Sequence, residues 1–157
     1  MVRVAVTGFA IKDGQGLDLS AVGLVMAGFQ PDGWRTVTPR IFTEDVRGLA
    51  TFLRTVFGAT GRQAAGRPME MRIGDSIVMI SDADVREPYT ACLYVYVEDA
   101  DKTYRKAISA GAKSVEKPHD TAYGDRRGIV RDGWGNTWQI ATLQATSPAK
   151  RTSVRKR

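Results

Sequence analysis

The chain has 157 residues and a formal net charge of +6 at pH 7, and 43% of its residues are hydrophobic. This length and apolar content fit one compact domain, or two small modules that share a core, and exclude a globally disordered chain. Five cations and no acid fall within residues 143–157, so the rest of the chain is near neutral and nucleic acid is not favoured as a partner.

The cysteine content and the apolar runs indicate a cytoplasmic protein. Cys92 is the single cysteine, so no disulfide can form within the chain and a reducing compartment is expected. No run approaches the ~18 apolar residues that a spanning helix needs, so no membrane partner is expected. The apolar stretch at 17–29 lacks the basic start of a signal peptide, and we predict no export signal.

Residues 1–30 do not follow the pattern of the rest and form an N-terminal extension of uncertain order. An added strand, a mobile arm and an upstream extension of the reading frame are open alternatives. Pro31-Asp32-Gly33 is a strong turn signal, after which the ordered domain is expected to begin. We predict a single domain at 31–144, with module one at 34–82 and module two at 90–144, followed by a basic disordered tail at 145–157.

Two stretches, 38–59 and 91–112, repeat the same order of features. Each starts with a short apolar run, reaches a Glu-Asp pair, continues with helical spacing and stops at Gly-Ala. The pairs begin at Glu44 and Glu98, 54 residues apart. A fixed internal period indicates a repeated structural unit that needs a neighbour to bury its apolar surface.

The elements of module one follow from local patterns. A strand is predicted at 34–43 and a helix at 46–57, where apolar residues recur at helical spacing. Asp45 is suited to cap the start of this helix and Gly58 its end. Two strands follow at 69–73 and 76–81, joined by the turn signal Gly74-Asp75, and the polar segment 81–90 is the predicted linker.

Module two repeats this order. Strands are predicted at 92–97, 115–122, 127–131 and 137–142, with a helix at 99–110 and a turn at 132–136. Each module is therefore predicted to be βαβββ, which makes the fold α+β. Two such curved sheets, each with one face covered by its helix, are expected to enclose a cleft that suits a small ligand.

Several motifs lie on this repeat in a characteristic order: Pro31-Asp32-Gly33-Trp34, Phe57-Gly58-Ala59, Met71-Arg72-Ile73-Gly74-Asp75, Tyr123-Gly124-Asp125-Arg126 and Gly135-Asn136-Thr137-Trp138. In this arrangement the chain resembles the vicinal oxygen chelate superfamily, which includes glyoxalase I, the bleomycin-resistance proteins and the extradiol dioxygenases. Within it the chain is most similar to the PhnB-like branch. The resemblance covers residues 31–143.

The resemblance implies tandem βαβββ modules (the glyoxalase/bleomycin-resistance fold) and a homodimer. It also implies that the family's metal-ligand positions fall at Thr38, Met79, Cys92 and Gln139. Only Gln139 is a ligand type usual in the family, and the Met79 thioether suits soft metals. We therefore expect no cofactor and no metal, with a divalent metal as the alternative that is not excluded.

The same resemblance, combined with strand alternation, indicates which side chains face the cleft. If Thr38 faces inward, Arg40 and Phe42 do so too, and Tyr94 and Tyr96 accompany Cys92. A cation such as Arg40 on an apolar wall needs an anionic partner, either Glu70 or a ligand. The predicted ligand-binding residues, for an aromatic or anionic small molecule, are Arg40, Phe42, Tyr94, Gln139 and Trp138.

The remaining reactive side chains, the carboxylates of Glu70 and Asp125 and the thiol of Cys92, are each expected to have a structural role. Glu70 is the candidate general base, although pairing with a cation is favoured. Asp125 is expected to form a salt bridge with Arg126 or Arg127, and Cys92 to be an inert buried filler. The sequence favours a metal-free small-molecule (drug or metabolite) binding protein. The alternative is an enzyme of the superfamily, a lyase, isomerase or dioxygenase with an atypical metal set or with Glu70 as base.

Overall fold

The computed structural model describes residues 29–63, 65–84 and 86–144. The tail expected at 145–157 lies outside the described residues, as does the extension expected at 1–30 apart from its last two residues. Of the helices in the part that is described, none is both long and apolar enough to cross a bilayer.

The first module contains five elements in the order β1 (Arg40–Thr43), α1 (Val46–Phe57), β2 (Thr60–Arg62), β3 (Met69–Ile73) and β4 (Ser76–Asp82). Its strands form one sheet in the order β1-β4-β3-β2. β1 pairs with β4 in parallel, and the other neighbours are antiparallel. The first strand begins later than position 34, and β2 was not predicted because all three of its residues are exposed and carry no apolar pattern.

The second module repeats this order with β5 (Cys92–Tyr96), α2 (Ala100–Ser109), β6 (Lys113–Asp120), β7 (Asp125–Arg131) and β8 (Thr137–Leu143). Its sheet has the order β5-β8-β7-β6, in which β5 and β8 are again the parallel pair. The predicted α+β fold of two tandem βαβββ modules is confirmed.

The repeated Glu-Asp pairs mark the two helix starts. The Asp45 carboxylate accepts a hydrogen bond from the Gly48 backbone N–H at 2.8 Å, and the Asp99 carboxylate accepts one from Lys102 at the same distance. Each aspartate satisfies one of the exposed N–H groups in the first turn of its helix. Gly58 then ends α1 in the left-handed conformation, with φ of 65°.

Both helices and the helix-facing sides of both sheets contribute to one hydrophobic core. Leu49 and Leu53 of α1 are fully buried there, and the Phe57 ring lies 5.2 Å from the ring of Trp138 on β8. The two sheets are not closed around a space between them, so the expected enclosed cleft is wrong. The reason is that the two modules meet through one core shared by the helix sides of both sheets, so the opposite sides stay open and do not close on each other.

A buried carboxylate organises the turn between β7 and β8. Asp132 Oδ1 accepts from the backbone N–H groups of Trp134 and Asn136, each at 2.9 Å. Its Oδ2 accepts from Asn136 Nδ2 at 2.9 Å and from Trp138 Nε1 at 2.8 Å. Asn136 Oδ1 in turn accepts from the Ala91 N–H, which ties the turn to the start of β5.

Candidate ligand-binding site

The open side of the second sheet presents a group of aromatic and polar side chains that we call the tyrosine face. Its members come from three adjacent strands, since β8 lies between β5 and β7, and alternation places them on the side away from α2. In register, Tyr94 lies opposite Gln139, while Ala141 lies between Tyr96 and Arg127. The tyrosine face consists of Tyr94, Tyr96, Asp125, Arg127 and Gln139.

Asp125 holds both tyrosines. The Tyr94 hydroxyl donates to Asp125 Oδ2 at 2.6 Å, and the Tyr96 hydroxyl donates to the same oxygen at 3.0 Å. The carboxylate residue is only 2% exposed, whereas Tyr94 is 39% and Tyr96 63% exposed. The ring centroids are 5.2 Å apart. Ala141, between these residues on β8, is fully buried, which indicates that the tyrosines cover it. The two rings therefore form a fixed but accessible aromatic surface.

The environment of the two hydroxyls raises their pKa values. For Tyr94 the larger cause is burial, followed by the hydrogen bond to Asp125, and both raise the pKa above its ordinary value. For Tyr96 the hydrogen bond to Asp125 is the larger cause and burial the second. Ionising either phenol would place a second negative charge beside a carboxylate, so both stay protonated and act as donors at neutral pH.

We expect the Tyr94 phenol to resist ionisation at pH values where an ordinary tyrosine, with a pKa of about 10, already ionises. Because its folded pKa is raised, its contribution to stability is complete below pH ~10 and is lost as the pH rises through the folded value. Phenolate absorbance measured against pH should show two delayed tyrosines in the wild type and a smaller delay in Asp125→Asn. Identical titrations of the two proteins would contradict this assignment.

Arg127 is the cation of the tyrosine face, and its two terminal nitrogens both donate hydrogen bonds to neighbouring side chains. Nη2 donates to Glu116 Oε1 at 2.7 Å, while Nη1 donates to the Tyr123 hydroxyl at 2.7 Å and more weakly to Gln139 Oε1 at 3.4 Å. The hydrogen bond to Glu116 is the main reason that the pKa of Arg127 is raised. Its Nε is buried without a partner among the described residues. Glu116 thus neutralises this guanidinium within the face.

Arg40 and Phe42, predicted to share a ligand with Tyr94, lie on the other sheet and contact each other. Arg40 Nε donates to Ser81 Oγ at 2.8 Å, and its Cζ lies 4.8 Å from the centre of the Phe42 ring. Of the two anionic partners considered for Arg40, Glu70 forms no ion pair with it, because Met79 of β4 lies between the two residues in the strand register. Phe42 is only 6% exposed and packs against Tyr89.

Trp138 does not join the other predicted ligand residues. It follows the alternation of β8, so that Gln139 faces the open side and Trp138 the helices, where it is fully buried. Cys92 is also placed differently from the expectation, because it is exposed and not a buried filler. It lies on the same side of β5 as Tyr94.

Asp125 belongs to the candidate site, and the sequence analysis did not place it there. The expected salt bridge to Arg126 or Arg127 is wrong. Arg126 donates to Asp101 at 2.8 and 2.9 Å and to Asp120 at 3.2 Å, because it points to the helix side of β7. The strand order of a βαβββ module puts β7 two strands away from β5. Alternation along these strands would then have placed Asp125 on the same side of the sheet as Tyr94 and Tyr96.

A cavity, which we call the junction cavity, lies between β1, the linker and the β7–β8 turn. Its volume is about 660 Å³, and no residue of the tyrosine face lines it. Trp134 in its wall is half-buried and packs edge-on against Phe52, with ring centroids 6.1 Å apart. The lining residues are Phe42, Thr43, Glu44, Pro88, Tyr89, Thr90, Gly133 and Trp134.

These observations agree with the comparisons to known proteins. A sequence profile described as Glyoxalase/Bleomycin resistance protein/Dioxygenase superfamily matches residues 35–140, and the chain belongs to this superfamily. Among solved structures, TioX from Micromonospora sp. ML1 is 26% identical, with a TM-score of 0.59 over 68% of this chain and 97% of that one. A family member from Burkholderia phytofirmans PsJN, 22% identical with a TM-score of 0.59 over 68% of this chain and 96% of its own, supports the fold.

A curated relative extends only over a short stretch. An uncharacterized protein of Mycobacterium bovis is 35% identical over 48 residues, which is 31% of this chain and 32% of the relative. The match therefore spans about a third of the length of that relative.

The residues at the metal positions implied by the family do not fit a divalent metal. The Thr38 hydroxyl donates to the Arg35 carbonyl, and Met79 lies beside Arg40 in the strand register. Gln139 Oε1 faces the Arg127 guanidinium and its Nε2 lies 3.6 Å from Cys92 Sγ. Within the described ranges no group of three or more His, Cys, Asp or Glu side chains could hold a metal ion. Nitrogen and oxygen donors of the required kind are missing from this set.

Proposed function

We propose that this protein is a metal-free small-molecule-binding member of the superfamily that acts as a cytoplasmic homodimer and is nearest to the PhnB-like branch. The observation that carries the proposal is the pair Tyr94 and Tyr96, exposed on an open sheet and held by the buried carboxylate of Asp125. A drug or a metabolite with a flat ring is the ligand class that this surface suits.

The tyrosine face has the properties that favour ligand binding. Tyrosine offers a large rigid contact area, and stacked or edge-on aromatic pairs contribute roughly 0.5–1.5 kcal/mol beyond the area that they bury. Because Asp125 fixes both hydroxyls, little conformational freedom remains to be lost when a ligand packs against the rings. The amide of Gln139 and the hydroxyl of Tyr123 supply nearby polar contacts for specificity.

The absence of metal chemistry rests on the side chains at the four family positions. A hydroxyl, a thioether, a thiol and an amide form a poor set of ligands for a divalent ion. Elemental analysis of chelator-free protein, combined with native mass, should give a dimer without stoichiometric metal. Stoichiometric metal would contradict this part of the proposal.

Binding should depend on the tyrosine face and not on the junction cavity. A panel of planar aromatic compounds, screened by thermal shift and confirmed by equilibrium dialysis, should bind the wild type. Replacing Tyr94 and Tyr96 by alanine should weaken binding of any hit by about tenfold or more, since two stacking contacts are lost. Tyr89→Ala, which removes an exposed tyrosine of the junction cavity, is the matched control and should bind normally.

Two outcomes would overturn the proposal. Loss of binding in Tyr89→Ala with normal binding in the double variant would place the ligand in the junction cavity. Turnover of a panel compound that disappears in Glu70→Gln would favour the enzyme with Glu70 as base. Glu70 is half-buried on β3, opposite Met79 and Arg62 in the register.

A further inference from the structure

The carboxylate that accepts from the two tyrosine hydroxyls has no cationic partner among the residues that the structure describes. Asp125 is 2% exposed, and it accepts from two neutral phenols where a buried carboxylate would ordinarily face a lysine or an arginine. Burying a charge without a counter-charge is costly unless hydrogen bonds or a bound partner compensate it. The arrangement leaves a negative charge without a counter-charge at the hydroxyl ends of an exposed pair of aromatic rings.

We propose that the tyrosine face selects a planar aromatic cation. This inference rests on the proposed function and names the ligand class of the same site. It keeps the aromatic ligand expected from the sequence and proposes a positive charge in place of the negative one.

The tyrosine rings themselves favour a cation. The face of an aromatic ring carries negative potential, and a cation placed over tyrosine within about 6 Å of the ring centre is attracted to it. Both hydroxyl hydrogens point at Asp125, so the positive ends of these two O–H dipoles are already used by the carboxylate. An incoming ligand meets the ring faces and the field of the Asp125 carboxylate at the hydroxyl ends of the rings.

The one cation in the tyrosine face does not offset this charge. Arg127 Nη2 is bonded to Glu116 at 2.7 Å, and Nη1 is bonded to Tyr123 at 2.7 Å. The His119 Nδ1 atom also lies 3.2 Å from Glu116, so this carboxylate is held from two sides. An anionic ligand would have to displace Glu116 from Arg127 and would then lie near Asp125, where like charges repel.

The shape of the surface adds a preference for a flat ligand. Tyr94 and Tyr96 are tilted by 50° to each other, with centroids 5.2 Å apart, so a fused ring system can stack on one ring and contact the other edge-on. Tyr123, 61% exposed and tied to Arg127, borders the same face. A small compact cation such as ammonium would leave most of this aromatic area unused.

Three probes of one shape and different charge test the inference: N-methylacridinium as the cation, acridine as the neutral compound and anthracene-9-carboxylate as the anion. Their dissociation constants for the wild type at neutral pH and moderate salt are measured by fluorescence titration. The cation should bind about tenfold or more tighter than the anion, with the neutral compound between them.

The variant Asp125→Asn removes the charge but keeps an oxygen that can accept from both tyrosines. It should reduce the preference for the cation to about threefold or less while the neutral probe binds nearly as before. Asp75→Asn, an exposed carboxylate of the first module with the same change in net charge, is the matched control and should keep the wild-type preference. Thermal unfolding of both variants verifies that they are folded.

The outcomes separate this inference from the proposed function. If all three probes bind the wild type equally, or the anion binds best, and Tyr94→Ala weakens each of them, the charge selection is wrong and the binding function stands. If no probe binds the wild type, both are wrong. An unchanged preference in Asp125→Asn, or an equal loss in Asp75→Asn, would also overturn the role of the Asp125 charge.

Discussion

Replacing Asp132 with alanine is expected to lower the free energy of unfolding by roughly 3–5 kcal/mol. The Asp132 carboxylate is 6% exposed and accepts four hydrogen bonds, from Trp134 N–H, Asn136 N–H, Asn136 Nδ2 and Trp138 Nε1. Alanine leaves these donors without an acceptor, and a buried donor without a partner costs about 1–3 kcal/mol. The loss also loosens the turn that ties the start of β5 to β8.

Urea denaturation followed by fluorescence and by circular dichroism measures this change. The control is Asp84→Ala, an exposed aspartate in the turn after β4, which should change the free energy of unfolding by less than about 0.5 kcal/mol. A loss below about 1 kcal/mol in Asp132→Ala would show that the turn does not depend on this carboxylate.

Replacing Trp138 with alanine is expected to cost roughly 3–5 kcal/mol of folding stability. The side chain is fully buried, packs against Phe57 with centroids 5.2 Å apart, and lies in the core shared by both modules. Alanine leaves a cavity that the two modules cannot close without shifting against each other. The free energy of unfolding from chemical denaturation is the measurement.

Trp138→Phe separates packing from hydrogen bonding. Phenylalanine keeps most of the contact with Phe57 but loses the donor to Asp132, so we expect a smaller cost of about 1–3 kcal/mol. In the Asp132→Ala background the cost of Trp138→Phe should shrink, because the hydrogen bond is already absent. Retained stability with lost ligand binding in Trp138→Ala would instead restore Trp138 to the ligand site where the sequence had placed it.

The fold could be predicted from the sequence because its signals are local and repeated. Asp45 and Asp99 lie at the helix starts where a capping carboxylate is favourable, and the apolar stripes define α1 and α2 to within about a residue. β2 was not predicted because all three residues of Thr60–Arg62 are exposed and form a strand through pairing with β3, without an apolar pattern of their own.

The candidate site was predicted only in part, because its geometry depends on contacts between distant residues. Alternation correctly places Tyr94 and Tyr96 together on one side of β5. Their joint acceptor, Asp125, is about thirty residues further along the chain, and the contact exists only because β8 lies between β5 and β7. The side of β8 that Trp138 faces could have been derived by counting from Gln139, since neighbouring residues point to opposite sides.

Ala141 sets the height at which the two tyrosines lie above the second sheet. It is fully buried beside Tyr96 in the register, and only a methyl group fills the space beneath the rings. A longer side chain there would lift the phenols out of reach of Asp125 while leaving the carboxylate in place. We therefore expect substitution at this single position to change the shape of the aromatic surface while the charge of Asp125 stays the same.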